Sequence, residues 1–202
     1  MVSVFCLAGT LAAAAAQHAR QVLAQPPPLL VVSEKTLAER VAAVHAALLV
    51  RVLGDAQSRA VDISASLQRG NPGAAVERPV VMTVTESDVV VLEAFKAGGV
   101  SAGATLRIGS VGGRAPWGGR DIVIRRRTPD LQKSATYVVL LRREPDWNDA
   151  LMFRDDEVFK VEGGVVTALP HAGAPEYAKE LVGLREADAL QNLRNAARRP
   201  KD

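Results

Sequence analysis

The segment from Val80 to Leu169 constrains the fold most, because it consists of short β-forming runs separated by four Gly-Gly pairs. Valine, isoleucine and threonine dominate these runs, and their branched side chains suit the pleated surface of a sheet. Glycine pairs supply the positive φ angles that tight turns require. Short strands at even spacing with glycine turns are typical of barrels and sandwiches. The sequence therefore predicts a mainly β (α+β) fold built on a small antiparallel β-barrel.

The strand predictions follow from runs of branched and apolar residues. We expect strands at residues 47–53, 60–67, 80–95, 104–111, 121–125, 137–141, 158–161 and 165–169. The long run 80–95 fits one bent strand, or two strands with a bulge near Ser87 and Asp88. Residues 137–141 are apolar on both faces, which favours a central strand. Residues 112–119, which include Trp117, are expected to form an exposed loop.

Two helices are predicted, one on each side of the β-rich segment. The first is short, is capped by Ser33 or Thr36, and carries an apolar face. That face comprises Leu37, Val41, Val44 and Leu48. The second spans residues 176–197 and has an approximate apolar stripe, with a possible break at Gly183. We expect this C-terminal helix to cap one end of the barrel, over a core that is aliphatic because aromatics make up only 4% of the chain.

The N-terminal residues predict export. Residues 1–16 are uncharged and apolar, too short to span a bilayer, and end in the small-x-small pattern of a signal-peptide cleavage site, with a second possible cut after Ala24. The run lacks the positive residues that normally precede such a segment, so an Ala-rich helix packed on the domain is the alternative. Cleavage would remove Cys6 and leave a chain without disulfides.

The rest of the chain divides by composition. The mature chain has no further apolar run of membrane-spanning length and no C-terminal anchor, so we expect a protein without an integral membrane segment, periplasmic or secreted. The predicted organisation is a signal peptide at 1–16 (or to 24), a Pro-rich linker at 17–32, a β-barrel domain at 33–170, and a C-terminal helix with a basic tail at 171–202.

Several segments together resemble a known group of proteins. They are Glu93–Gly98, the run Gly103-x-Thr-Leu-x-Ile before Gly112-Gly113, Tyr137–Asp146, and Val158–Val166. This order resembles a loose group of bacterial exported proteins with OB-like barrels, related in shape to the netrin module of tissue metalloproteinase inhibitors. That group usually has glycine at the position of Ser134 and phenylalanine at that of Leu140. The resemblance implies an OB-like fold and export, and it transfers no catalytic residue.

The residues that carry metal or cofactor chemistry are not arranged in a recognisable pattern. His18, His45 and His171 are far apart and have no ligand partner at helical spacing. The acidic residues between Asp146 and Glu157 do not match a calcium loop, and we interpret them as a solvated acidic turn. The glycines from Gly109 to Gly113 match neither phosphate-binding motif. The sequence predicts no metal, no cofactor and no catalytic residue, although a noncontiguous active site is an open alternative.

A basic cluster is the feature that stands out from the average composition. Residues 107–143 contain nine Lys and Arg against two Asp, in a chain whose net charge is +3. Such a patch suits polyanions such as nucleic acid, acidic glycan or lipid head groups. Arginines at strand edges also prevent edge-to-edge aggregation, and the acidic residues after Glu144 are available to pair with them.

The segment around Trp117 is the other candidate contact site. Exposed Trp and Arg residues are typical of interface hot spots, although Trp117 could also fold back over the barrel mouth. The candidate binding residues are Trp117, Arg114, Arg120, Arg125, Arg126 and Arg127. The sequence predicts a non-catalytic binding module with a protein or polyanion partner. The first alternative is a polyanion-binding protein that uses the Arg-rich strands, and the second is an enzyme.

Overall fold

The computed structural model describes residues 36–70, 78–126, 129–144, 150–169 and 175–199. These residues belong to one compact unit, Glu34–Asp202. The predicted signal peptide and linker lie outside the described residues, as do Cys6, His18, Arg127, the acidic residues at 146–149 and His171.

The described residues form ten β-strands, three α-helices and two 3₁₀ turns. The strands are β1 (Ala46–Val52), β2 (Gln57–Asp62), β3 (Val81–Lys96), β4 (Thr105–Val111), β5 (Gly113–Trp117), β6 (Arg120–Ile124), β7 (Thr136–Glu144), β8 (Ala150–Met152), β9 (Val158–Glu162) and β10 (Val165–Ala168). The helices are α1 (Leu37–Ala43), α2 (Ser64–Gly70) and α3 (Glu186–Arg198), and the 3₁₀ turns are Asp155–Glu157 and Glu176–Glu180. The prediction of a mainly β fold is confirmed.

Five strands are joined in a cycle of hydrogen-bonded pairs. β1 pairs with β3, β3 with β4, β4 with β8, β8 with β7, and β7 again with β1. The β4–β8 pair is parallel, so the sheet is mixed rather than antiparallel throughout as predicted. β2 extends the sheet by pairing with β3. On the other side β9 pairs with β7, and β10 pairs with β9. β5 and β6 form a separate two-stranded sheet.

The apolar side chains form two cores on opposite faces of β1 and β7. Alternate residues of these strands, such as Leu48 and Val139, contribute to a core inside the cycle of strands. Their neighbours, such as Leu49 and Leu140, form a second core with the helices α1 and α3. Because both faces of β7 are covered, its central position is confirmed. Each apolar residue of these two strands therefore supports one core or the other.

Helices α1 and α3 cover the outer face of β1, β7, β9 and β10. A capping box between Thr36 and Glu39 starts α1, and the Lys96 ammonium donates hydrogen bonds to carbonyl oxygens at its C-terminal end. The C-terminal segment breaks at Gly183, which has a φ of +83°. Only α3 is an α-helix there, and it packs on the outer face of the sheet with the second core. Within the described ranges, no helix combines the length and the apolar character that crossing a membrane requires.

Two local predictions are wrong, and one of the two alternatives for residues 80–95 is excluded. Residues 60–67 are not one strand, because β2 ends at Asp62, whose carboxylate accepts a hydrogen bond from the Ser64 backbone at the start of α2. Residues 80–95 form one long strand, β3, which confirms the first alternative; its bulges lie opposite Ala47/Leu48 and Leu49/Val50 in β1 and not near Ser87 and Asp88, where the pairing with β4 is regular. Residues 113–117 are strand β5 rather than part of a loop.

Candidate functional site: the β5–β6 hairpin

The β5–β6 hairpin carries three of the six residues that the sequence singled out: Trp117, Arg114 and Arg120. Its two-residue turn is Gly118-Gly119, with φ angles of +54° and +77°. Positive φ at both central residues is characteristic of the type I′ turn, whose twist matches that of the flanking strands. The turn places Trp117 directly opposite Arg120 at the tip of the hairpin. Glycine at both positions thus determines where the tryptophan lies.

The two faces of the hairpin have different environments. Ala115 is buried and Ile122 is half-buried, because their face packs towards β2 and β3. Trp117 shares this face by strand alternation, but it lies at the tip and its exposed fraction is 39%. On the opposite face Val123 is 67% exposed. The hairpin therefore presents one large aromatic side chain and one aliphatic side chain to solvent.

The base of the hairpin is fixed by hydroxyl groups on β2 and β3. The Thr85 hydroxyl donates a hydrogen bond of 2.8 Å to the carbonyl oxygen of Gly112, and the Thr83 hydroxyl donates one of 3.1 Å to that of Gly113. The Ser58 and Thr85 hydroxyls are 2.7 Å apart and share a hydrogen bond. A Cβ on Gly113 would lie 2.4 Å from the Thr85 Oγ1 atom, so only glycine permits this approach.

The candidate arginines differ in how they are held. The Arg114 Nε donates a 2.8 Å hydrogen bond to Oδ2 of Asp121 on the outer face of the hairpin. Arg126 is mostly buried and forms an ion pair with Asp130. Arg120 and Arg125 are exposed, and neither has a partner among the described residues. Arg127 lies outside the described residues, so the structure places only part of the predicted set.

Two arginines pair with carboxylates of β3, and one of them, Arg107, belongs to the basic cluster. On the outer face of β2, β3 and β4, Arg59 forms two hydrogen bonds of 2.8 Å with Glu86. Arg107 donates to Asp88 at 2.9 and 3.3 Å. The hydrogen bond from Arg107 lowers the pKa of Asp88, and Asp88 in turn raises the pKa of Arg107. The positive excess in the sequence is thus partly neutralised by residues that lie outside the cluster.

These charged side chains line a shallow polar depression on the same face. Its lining residues are Asp55, Gln57, Glu86, Asp88 and Arg107. Among the described residues, no group of three or more His, Cys, Asp or Glu side chains is arranged to hold a metal ion. His45 is half-buried between α1 and β1, with its ring against Gly98.

A buried carboxylate that the sequence did not indicate lies between β8 and β9. Glu157 is fully buried and accepts a 2.8 Å hydrogen bond from the Arg142 Nε and a 2.9 Å bond from the Arg154 backbone N–H. Its carboxylate also forms an ion pair with Arg40 of α1. The interpretation of this residue as part of a solvated acidic turn is therefore wrong.

Aromatic contacts complete the surroundings of Arg40. Its guanidinium carbon lies 5.5 Å from the centre of the Tyr177 ring, within the range of a cation–π contact. Burial raises the pKa of Tyr177 well above its ordinary value, and its hydroxyl donates to the backbone oxygen of Asp156. Arg40 thus connects α1 with both 3₁₀ turns. We interpret this cluster as a structural connection between the helices and the sheet.

Comparison with protein-family models, with curated protein sequences and with solved structures found no match to this chain. The resemblance to exported OB-like proteins stays a prediction.

Proposed function

We propose that this chain is a non-catalytic binding module that uses the tip of the β5–β6 hairpin to contact a protein partner. The observation that carries the proposal is an exposed Trp117 opposite Arg120 on a hairpin whose base is anchored by hydrogen bonds. Tryptophan and arginine dominate the energetics of protein interfaces, and a rigid scaffold reduces the entropy lost on binding. The energetic cost of exposing a large aromatic side chain is then offset in the bound state.

The electrostatic surroundings favour a protein partner over a polyanion. Of the candidate arginines, Arg114 and Arg126 already pair with carboxylates of their own chain. A phosphate or sulfate would have to compete with Asp121 and Asp130 for these guanidinium groups. Arg120 and Arg125 provide two exposed charges, which suit contacts with an acidic rim around a central aromatic contact.

Comparative affinity capture tests the proposal. Immobilised wild-type chain, Trp117→Ala and the control Leu92→Ala would be exposed to the extracytoplasmic proteins of the source cells, and the retained proteins quantified. Leu92 on β3 is exposed to nearly the same extent, 37% against 39% for Trp117. We expect one set of proteins to bind the wild type and Leu92→Ala and to be lost with Trp117→Ala. Equal retention by all three chains would contradict a role for the tip.

We also propose that the cycle of five strands is a closed barrel of the OB type. Taken in chain order, its strands are β1, β3, β4, β7 and β8, and the fifth of these lies between the third and the fourth. This order, with a parallel pair between the third and fifth strands, is that of the five-stranded Greek-key OB barrel. Nuclear Overhauser contacts between Ile108 and Leu151 and between Leu48 and Val139 would test the two pairings that close the cycle.

Export is part of the same proposal. It is supported by the apolar segment and the small-x-small pattern before Gln17. Expression of the full chain followed by N-terminal sequencing of the periplasmic or secreted product would test it. We expect the mature chain to begin after Ala16 or Ala24. A product that retains Met1 and stays in the cytoplasm would contradict export.

A further inference from the structure

Among the described residues β6 pairs with β5 alone, so its outer edge has no strand partner there. In the larger sheet, by contrast, the edge strand β10 is covered, because the segment after the second 3₁₀ turn bonds to it through Val166. An unpaired edge exposes a row of N–H and C=O groups that can accept another strand.

The geometry of the turn determines which backbone groups face outward. A two-residue type I′ turn is closed by the hydrogen-bonded pair Trp117–Arg120, and hydrogen-bonded and non-hydrogen-bonded pairs then alternate along the hairpin. Ile122 and Ile124 therefore bond to β5, whereas the N–H and C=O groups of Asp121 and Val123 point away from it. No described residue forms a backbone hydrogen bond with either of these two residues at that edge.

The side chains along this edge are complementary to those of an identical strand. If two copies of β6 pair antiparallel about a two-fold axis at Val123, Val123 faces Val123 and Asp121 faces Arg125 twice. Arg125, the residue after β6, has no partner within the described residues. Both bonds from Arg114 go to Oδ2 of Asp121, so its Oδ1 is available to accept from a second Arg125.

We propose that this chain forms a two-fold dimer in which the β6 strands pair edge to edge about Val123. The pairing would cover the 67% exposed Val123 and add two ion pairs beside the new backbone hydrogen bonds. An interface of one short strand per copy is small, so the dimer is weak and depends on protein concentration. This proposal does not rest on the partner contact proposed above, because Trp117 lies at the tip and outside the paired edge.

Sedimentation of the full chain over a wide range of concentrations tests the dimer. We expect reversible dimerisation by the wild type, its loss with Arg125→Asp, and its partial return in Asp121→Arg/Arg125→Asp. The control Arg51→Asp makes the same change of charge at an exposed position of β1 and should dimerise like the wild type. Trp117→Ala should also dimerise, which separates this result from the test of the partner contact.

Disulfide cross-linking tests the position of the axis even when the dimer is weak. Residues in a hydrogen-bonded antiparallel pair have Cα atoms about 5.5 Å apart, within the roughly 4.4–6.8 Å that a disulfide spans. We expect mild oxidation to give a covalent dimer of Cys6→Ser/Val123→Cys and much less of Cys6→Ser/Pro116→Cys, in which the exposed thiol lies on β5. A chain that is monomeric at every concentration, or equal cross-linking at both positions, would overturn the proposal and leave Arg120 and Arg125 as edge protection.

Discussion

Two regions of the molecule use arginine–carboxylate pairs in different ways. Between β8 and β9, one fully buried carboxylate forms ion pairs with two guanidinium groups. On the outer face of β2, β3 and β4, each guanidinium group pairs with one carboxylate that is also in contact with water. The buried group, Glu157, joins the sheet to the helix-covered side of the molecule. The exposed pairs, Arg59–Glu86 and Arg107–Asp88, lie on the opposite face of β2 and β3 from the hydroxyl groups that hold the hairpin. The same residue types thus have different roles, because burial makes each partner of Glu157 indispensable.

The largest expected effect is at the buried carboxylate. Glu157→Gln should lower the free energy of unfolding by about 3–5 kcal/mol, because it leaves the guanidinium groups of Arg40 and Arg142 without their counter-charge. Glu86→Gln is the matched control, and we expect it to cost less than about 1 kcal/mol. Urea unfolding at neutral pH measures both. Similar losses for the two variants would show that burial does not distinguish these sites.

The second effect concerns the core beneath the helices. Leu140→Ala removes a fully buried side chain from β7 and should cost about 3 kcal/mol in unfolding free energy. Val123→Ala on the hairpin should change it by less than about 0.5 kcal/mol, because the side chain is mostly in water. Equal losses of unfolding free energy in the two variants would show that the hairpin contributes more to stability than its exposure indicates.

The third effect tests how the hairpin is attached. Gly113→Ala should cost roughly 2 kcal/mol, because φ is +121° and the added methyl group meets the Thr85 and Ser58 hydroxyls. Gly118→Asn at the turn should be nearly neutral, since asparagine tolerates a φ of +54° and no atom lies within 4 Å of the added Cβ. Thermal unfolding of the two variants compares them. A neutral Gly113→Ala would mean that the base of the hairpin is loosely packed.

The smallest effect is the pH dependence of an exposed pair. The pKa of Asp88 is lowered in the folded chain by Arg107, so its stabilisation is present above the ordinary Asp pKa of about 3.9 and is lost as the pH falls through the lowered value. Asp88→Asn should therefore be slightly less stable than the wild type at pH 7, and the difference should vanish in acid. High salt should reduce it as well. If the difference in stability persisted in acid, its cause would be packing and not the charge of Asp88.

Much of the sheet follows from the sequence where a strand is recognisable by itself. The run Tyr137–Leu141 is apolar on both faces and is central in the structure, and the Glu162-Gly-Gly164 turn joins β9 and β10 as expected. The parallel strand β8 was not predicted, because three residues are too few to show a period. The pairing of β1 with β7 brings together residues distant in the chain, and no local pattern encodes it.

The site was only partly predictable for a similar reason. Trp117 was predicted in an exposed segment and is exposed, but Gly112 and Gly113 were interpreted as turn residues. The structure uses Gly113 for close approach to Thr85 and Ser58, which are distant in sequence. Glu157 was assigned to a solvated turn because its burial depends on Arg40, far away at the N-terminal end of the described chain. The sequence did contain one signal for the burial of Glu157, which is that a charged residue lies in a break between two apolar strands.

The cycle of strands also determines the order in which the chain can fold. Ala46 pairs with Leu141, so β1 has no partner on that edge until most of the domain has been synthesised. Until then β1 is paired with β3 and packed against α1, but its contacts with β7 and α3 are missing; these closing contacts are long-range, which slows folding. Nascent chains that end before β7 should therefore be bound by chaperones, and release should follow the emergence of residues 136–161. Ribosome-bound chains of increasing length would show this as a single late gain of protease resistance.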